Sequence, residues 1–306
     1  MTAVAPTLQA YFTQQLTGRR ASMHTISSYR DSFRLLLGYA HRQLGKAPAA
    51  LDFTDLDATF ITGFLDHLAH ERGNSVATCN ARLAAIHSLF TFAALRHPEH
   101  ADLIGRVLAI PHRHHDVTIV SYLTRPETDA LLSAPDRTTG LGRRDHTLLV
   151  TAVQTGLRVS ELTGLTCADV TLGAGAHVRC TGKGRKERAT PLTRPTARLL
   201  AGWLRERAGQ PTDPLFPART GGRLSTDAIS DLLAKHVASA ARRCPSLTAK
   251  HVTPHTLRHT CAMNLLQAGV DTATIALWLG HAGTKATQIY LHADLAVKEA
   301  ALARTA

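Results

Sequence analysis

Apolar residues recur at helical spacing from Thr7 to about Leu108. Leu8, Tyr11 and Phe12 open the series. Tyr29, Phe33, Leu36, Leu37 and Ala40 share a face that runs to about Leu44, with Ser27 as the expected N-cap. Phe60, Ile61, Phe64, Leu65 and Leu68 predict a third helix ending near Gly73. Ser75 caps a fourth, in which Leu83, Ile86, Leu89, Phe90 and Ala93 face one way, and Pro98 closes it. Leu103, Ile104, Val107 and Leu108 predict a short fifth helix. With no alternating pattern, residues 1–110 read as an all-helical bundle. Pro111 to His115 is polar and aperiodic, so residues 111–117 are expected to form a linker. Its histidines have no cysteine or carboxylate at ligand spacing, which favours a hinge over a zinc site.

The pattern changes in residues 118–306. Thr124-Arg-Pro-Glu127 is a helix start with a capping box. A helix over about Arg143–Thr155 stops at Gly156, and Leu157-Arg158-Val-Ser-Glu161-Leu starts another, with Arg158 at its beginning. Short alternating runs follow at 169–172, 177–181 and 188–192. The last two flank a basic tip, Gly182-Lys183-Gly184-Arg185-Lys186-Glu187. Such a tip either lowers a lysine into a groove or is a solvated loop. Helices return over Pro195–Ala208 and from Thr226 to about Ala241, the latter followed by Arg242-Arg243. Another starts at Pro254, and a short one runs Ala273–Leu279 up to Gly280. The fold class expected is mainly α with a small antiparallel β-sheet. It comprises an N-terminal all-helical domain and a C-terminal mixed α+β domain.

Charge sharpens this picture. The 306 residues carry a formal net charge of +12. Residues 1–117 hold 11 Lys+Arg and 9 Asp+Glu; residues 118–306 hold 24 and 14. A basic second domain favours a polyanionic partner, nucleic acid or an anionic membrane surface. No apolar run is long enough to span a bilayer, which tips the choice to nucleic acid. Five cysteines with no CxxC argue against a disulfide framework and fit a reducing cytosol.

The densest chemistry is near the end: Pro254-His255-Thr-Leu-Arg258-His259, Leu279-Gly280-His281 and Tyr290. A phenol with a pKa of about 10 is a poor nucleophile unless cations and a base stabilise its anion and its target. His255 and Arg258 fall on one helical face. His255 and His259, at i and i+4, also permit a two-histidine metal face, but no third ligand is evident. Phosphate binding is the stronger reading.

These stretches, with Thr155-Gly-Leu-Arg158-Val-Ser-Glu161-Leu and Thr181-Gly-Lys183-Gly-Arg-Lys-Glu-Arg188, match in order and spacing. Residues 118–306 resemble the catalytic domain of the tyrosine recombinase, or phage integrase, family. The first part resembles the family's helical, SAM-like core-binding domain by position and helicity. The resemblance implies a site-specific DNA recombinase. Tyr290 would attack phosphorus to give a 3′-phosphotyrosyl link, and Lys183 would protonate the leaving 5′-oxygen. Arg158, Arg258 and His281 would hold the phosphate oxygens, and His255 would assist proton transfer. Glu161 would support Arg158 or its helix. Arg185, Lys186, Arg188, Arg242 and Arg243 are the candidate DNA contacts. No metal, cofactor or ATP is expected, because the phosphotyrosine retains the bond energy.

The resemblance further implies double-stranded DNA with inverted-repeat core sites as partner. It implies a homo-tetramer on two sites, clamped around the duplex and exchanging strands through a Holliday junction, in a cytoplasmic, nucleoid-associated location. Helices beginning close to Met1 leave no arm-type domain, which favours an Xer-like or transposon-encoded enzyme. Leu295, Val297, Ala300, Ala301 and Leu302 form an apolar tail that could dock on a neighbour or on its own domain. The rival readings are a type IB topoisomerase-like nicking-closing enzyme and a non-catalytic DNA-binding regulator of the same fold.

Overall fold

A computed structural model describes residues 3–18, 21–114, 121–182 and 187–280. The chain divides into two compact units, Met1–Val117 and Thr118–Ala306.

The first unit contains α1 (Val4–Ala10), a π-helical turn (Tyr11–Leu16), α2 (Met23–Leu44), α3 (Ala58–His70), α4 (Val76–Ala94) and α5 (Ala101–Leu108). Its core is aromatic. Tyr11, Phe53, Phe64 and Phe90 are fully buried, and Tyr11 meets Phe33 and Phe92 edge-on. Helix α2 begins four residues before the expected Ser27. Ser22 enters in an extended conformation, and its hydroxyl accepts from the Thr25 N–H at 3.1 Å, so Ser27 lies inside the helix. Ser75 caps α4 as expected. The start of the proposed linker is pinned to α4, because the Asn80 side chain bonds both the N–H and the C=O of Arg113 at 2.9 Å.

The second unit runs α6 (Arg125–Leu132), α7 (Gly140–Thr155), α8 (Val159–Gly164), β1 (Val170–Thr171), β2 (His177–Thr181) and β3 (Glu187–Pro191). It continues with α9 (Arg194–Arg207), α10 (Thr226–Ala241), α11 (Pro254–Gln267) and α12 (Thr272–Leu279). The strands form one antiparallel sheet in the order β1-β2-β3, with Cys180 opposite Arg188 and Thr181 opposite Glu187. Helix α7 starts at Gly140 rather than about Arg143, because the Thr139 hydroxyl caps it, accepting the Gly142 N–H at 3.0 Å. It packs against α9 and α11. It also carries a buried polar cluster: Asp145 accepts from Arg144 at 2.6 Å and pairs with His236 of α10 at 2.9 Å. Leu131, Leu148, Leu149, Val178, Leu200 and Leu233 fill the main core. Cys261, Met263, Leu266, Ile275 and Leu279 form a smaller cluster between α11 and α12.

This fold is mainly helical with a three-stranded antiparallel sheet, as the sequence pattern requires. It brings the C-terminal ends of α7 and α12 to the base of the site.

Candidate active site

Two arginines are held by helix C-termini. The last carbonyls of a helix lack intrahelical partners and form the negative end of its dipole, so they suit a cation. Arg258, at the start of the second turn of α11, is 2% exposed. Its guanidinium donates to the Gly156 carbonyl at 2.7 Å and to the Leu279 carbonyl at 2.6 Å. Arg158 caps α8 and donates to the Gly280 carbonyl at 3.1 Å. Its side chain is 36% exposed. A planar fork with several donors can satisfy such anchors and still face a ligand, which an ammonium cannot do with the same rigidity.

Glycine makes this geometry accessible at two places. Gly156 and Gly280 end α7 and α12 with φ of +62° and +64°. A Cβ on Gly156 would lie 2.6 Å from Leu279 Cδ2 and 3.0 Å from Cys261 Sγ. One on Gly280 would lie 2.7 Å from Arg188 Nη1. Both glycines therefore supply a left-handed turn and a close approach.

Glu161 organises the other side of Arg158. Its Oε2 accepts the Arg158 backbone N–H at 2.7 Å, closing the first turn of α8, and its Oε1 accepts from Arg158 Nη1 at 2.9 Å. Arg188 of β3 donates to both oxygens, at 2.9 and 2.8 Å. Burial by itself would raise the Glu161 carboxyl. The bonds from Arg188, then from the Arg158 N–H and side chain, outweigh it and hold the group below the ordinary carboxylate range.

His255 lies one turn before Arg258. The residue is exposed overall, but partial enclosure of its ring, then the positive charges of Arg258 and Arg158, push its imidazole below its ordinary value and favour the neutral form. Its ring centroid stands 4.3 Å from that of His259. No group of three or more metal-capable side chains occurs among the described residues. Arg158, Ser160, Ser230, Thr253, His255 and Arg258 line a recess of about 370 Å³. Larger recesses of about 620 Å³ occur beside α9, away from these groups.

The structure thus brings Arg158, His255 and Arg258 together from stretches about 100 residues apart. Arg188 is directed inward onto Glu161. Arg242 and Arg243 are exposed just beyond α10. Lys183, Arg185, Lys186, His281 and Tyr290 lie outside the described residues. The anchoring carbonyls and the inward turn of Arg188 escaped the motif reading. A signal for Arg188 was available, since strand alternation puts it on the same face as the fully buried Thr190.

Two anchored guanidiniums and a neutral imidazole around one recess define an oxyanion site suited to phosphoryl transfer. The family model "Phage integrase family" matches residues 121–296, and "Phage integrase, N-terminal SAM-like domain" matches 8–97. The protein y4rC of Sinorhizobium fredii, which bears the name of an integrase/recombinase, is 55% identical over 304 residues, covering 99% of this chain and 92% of that one. Tyrosine recombinase XerC of Pelobacter propionicus is 33% identical over 284 residues, covering 91% and 88%. Among solved structures, XerA recombinase aligns over 98% of both chains with 25% identity and a TM-score of 0.52. The Tn1549 transposon integrase in complex with circular intermediate DNA aligns over 99% of both, with 18% identity and a TM-score of 0.73, a likeness of fold. The chain belongs to the phage integrase family of tyrosine recombinases.

Proposed function

We propose that the recess holds the scissile phosphate of duplex DNA, with Arg158 and Arg258 on its non-bridging oxygens. As a tyrosine recombinase the protein cleaves and rejoins DNA at specific sites through a 3′-phosphotyrosyl intermediate. The observation that carries the assignment of residues is the convergence of these two carbonyl-anchored guanidiniums on one recess that His255 also lines. Anchored donors need no reorganisation as charge develops on a pentacoordinate phosphorus, which is where such donors stabilise most.

Tyr290 is the proposed nucleophile. As its phenol attacks phosphorus, the bond to the 5′-oxygen breaks and Lys183 supplies a proton to that oxygen. His255, neutral and therefore able to accept, takes up the phenolic proton directly or through His281. These roles rest on motif position and on the chemistry of the residues. The proposed assembly is a homo-tetramer on two inverted-repeat core sites, exchanging strands in pairs through a Holliday junction; membership of the family supports it.

The test is covalent capture. A duplex selected from a random-sequence pool by the Tyr290→Phe protein is nicked within its central spacer, so that the released strand diffuses away. The intact chain is expected to become attached to this DNA, and Tyr290→Phe and Arg258→Ala are not. Attachment undiminished in Tyr290→Phe would overturn the choice of nucleophile. No attachment by the intact chain would overturn the enzymatic reading in favour of a DNA-binding regulator.

A further inference from the structure

Arg188 ends the basic hairpin, and by sequence it reads as one more phosphate contact. Its surroundings point elsewhere. The side chain is 13% exposed, and both terminal nitrogens are committed to Glu161. That carboxylate, 4% exposed, also accepts twice from Arg158. Gly280 closes a ring: its carbonyl accepts from Arg158, and its α-carbon lies so near the Arg188 guanidinium that any Cβ would collide with it.

The charge balance gives this ring a purpose. Two guanidiniums around one carboxylate leave one positive charge uncompensated. Without Arg188, the buried Glu161 would have Arg158 as its one described cationic partner. A buried carboxylate draws its partner into full pairing, since leaving it unpaired is costly. Arg158 would then be turned onto Glu161 and its charge spent there.

We propose that Arg188 is a positioning residue for strand cleavage rather than a DNA contact: by neutralising and aligning Glu161 it keeps the Arg158 guanidinium directed at, and charged toward, the scissile phosphate. The proposal rests on the assignment of Arg158 to that phosphate.

The full chain carrying Arg188→Gln, Arg188→Lys, Glu161→Gln, Arg188→Gln with Glu161→Gln, or Arg158→Ala is tested on the nicked, selected duplex. Two quantities are read: Kd with its salt dependence, and the single-turnover rate of covalent attachment at saturating protein. Arg188→Gln is expected to bind within about 2-fold of the parent with an unchanged salt slope, the neutral outcome for a side chain that touches no phosphate. Its attachment should slow by about 10–100-fold, as when the partner that orients a reacting group is removed. Arg188→Lys, which restores the charge without the fork, recovers part of that loss. The double variant again leaves one uncompensated cation, so it is at least as fast as Arg188→Gln alone.

Weaker binding with a salt slope reduced by about 1 and an unchanged saturated rate would make Arg188 a phosphate contact and overturn the proposal. Multiplied losses in the double variant would overturn it too. Should Arg188→Gln not fold, Arg188→Lys and Glu161→Gln decide: parental rates in both overturn it. Full activity in Arg158→Ala would remove the reading of the clamp itself. Loss there with full activity in Arg188→Gln removes this proposal alone.

Discussion

Gly156→Ala tests whether the turn after α7 is as constrained as its contacts imply. The new methyl group acts twice. At φ +62° an L side chain costs about 1–2 kcal/mol. The Cβ also meets Leu279 at 2.6 Å and Cys261 at 3.0 and 3.1 Å. Leu279 and Cys261 are 0% and 2% exposed, so neither can swing into solvent, and overpacking of this kind costs about 1–3 kcal/mol. A stiffer unfolded chain returns about 0.4–1 kcal/mol. The net is a loss of about 1–5 kcal/mol, centred on about 3.

Gly269→Ala is the control. That residue is also left-handed, at φ +82°, but has nothing within 4 Å of a new Cβ, so it should lose about 1 kcal/mol. Both tryptophans, Trp203 and Trp278, belong to the second unit, so their fluorescence in urea follows that unit rather than the helical bundle. With a slope of about 1–3 kcal/mol/M, a 3 kcal/mol loss moves the midpoint by about 1–3 M. Gly156→Ala is expected to lie clearly below Gly269→Ala. Equal midpoints would refute the collision, and with it the claim that this glycine is required for close approach rather than for its φ alone.

The remaining predictions concern protons. Glu127 is 2% exposed and accepts from Lys250 at 2.6 Å, Thr124 N–H at 2.8 Å and Ser246 at 2.7 Å; these bonds outweigh its burial and hold the carboxyl at about 2. A folded value below the unfolded 4.5 stabilises above pH 4.5, and the contribution is lost as pH falls toward 2. It is worth about 3 kcal/mol at most. Glu127→Gln should flatten the urea midpoint between pH 2 and 4.5, and an unchanged profile would contradict the linkage. His255, lowered by partial enclosure and two arginines, should give attachment rates that are flat through neutral pH and fall only on the acid side of the ordinary imidazole range, as the ring protonates. His255→Gln should be slower by about 100-fold or more and lose that acid limb; a limb that persists belongs to another group.

Local rules were readable from the chain. Ser75, the Thr124–Glu127 box and the glycine stop at Gly156 each act within a few residues, so the sequence carries them whole. Even there, competition between nearby caps is decided by the entry of the chain. Ser22 took the start of α2 from Ser27, and Thr139 opened α7 ahead of Arg143. The spacing of Arg158, His255 and Arg258 pointed to the chemistry proposed for them, because a phosphate clamp calls for those residue types.

What spacing could not reveal is what holds them. Arg258 is anchored by carbonyls 102 and 21 residues away, and Arg158 by one 122 residues away. A backbone carbonyl has no sequence signature, so such anchors exist only after α7, α11 and α12 have packed. Arg188 shows the same limit from the other side. As a letter in a basic run it is a phosphate contact, and strand pleat with a buried carboxylate opposite turns it inward. The sequence by itself determined the residue types, most helix boundaries to within a turn or two and the class of chemistry. Tertiary packing decided the direction of each charge, because that depends on partners the chain brings together from more than twenty residues away.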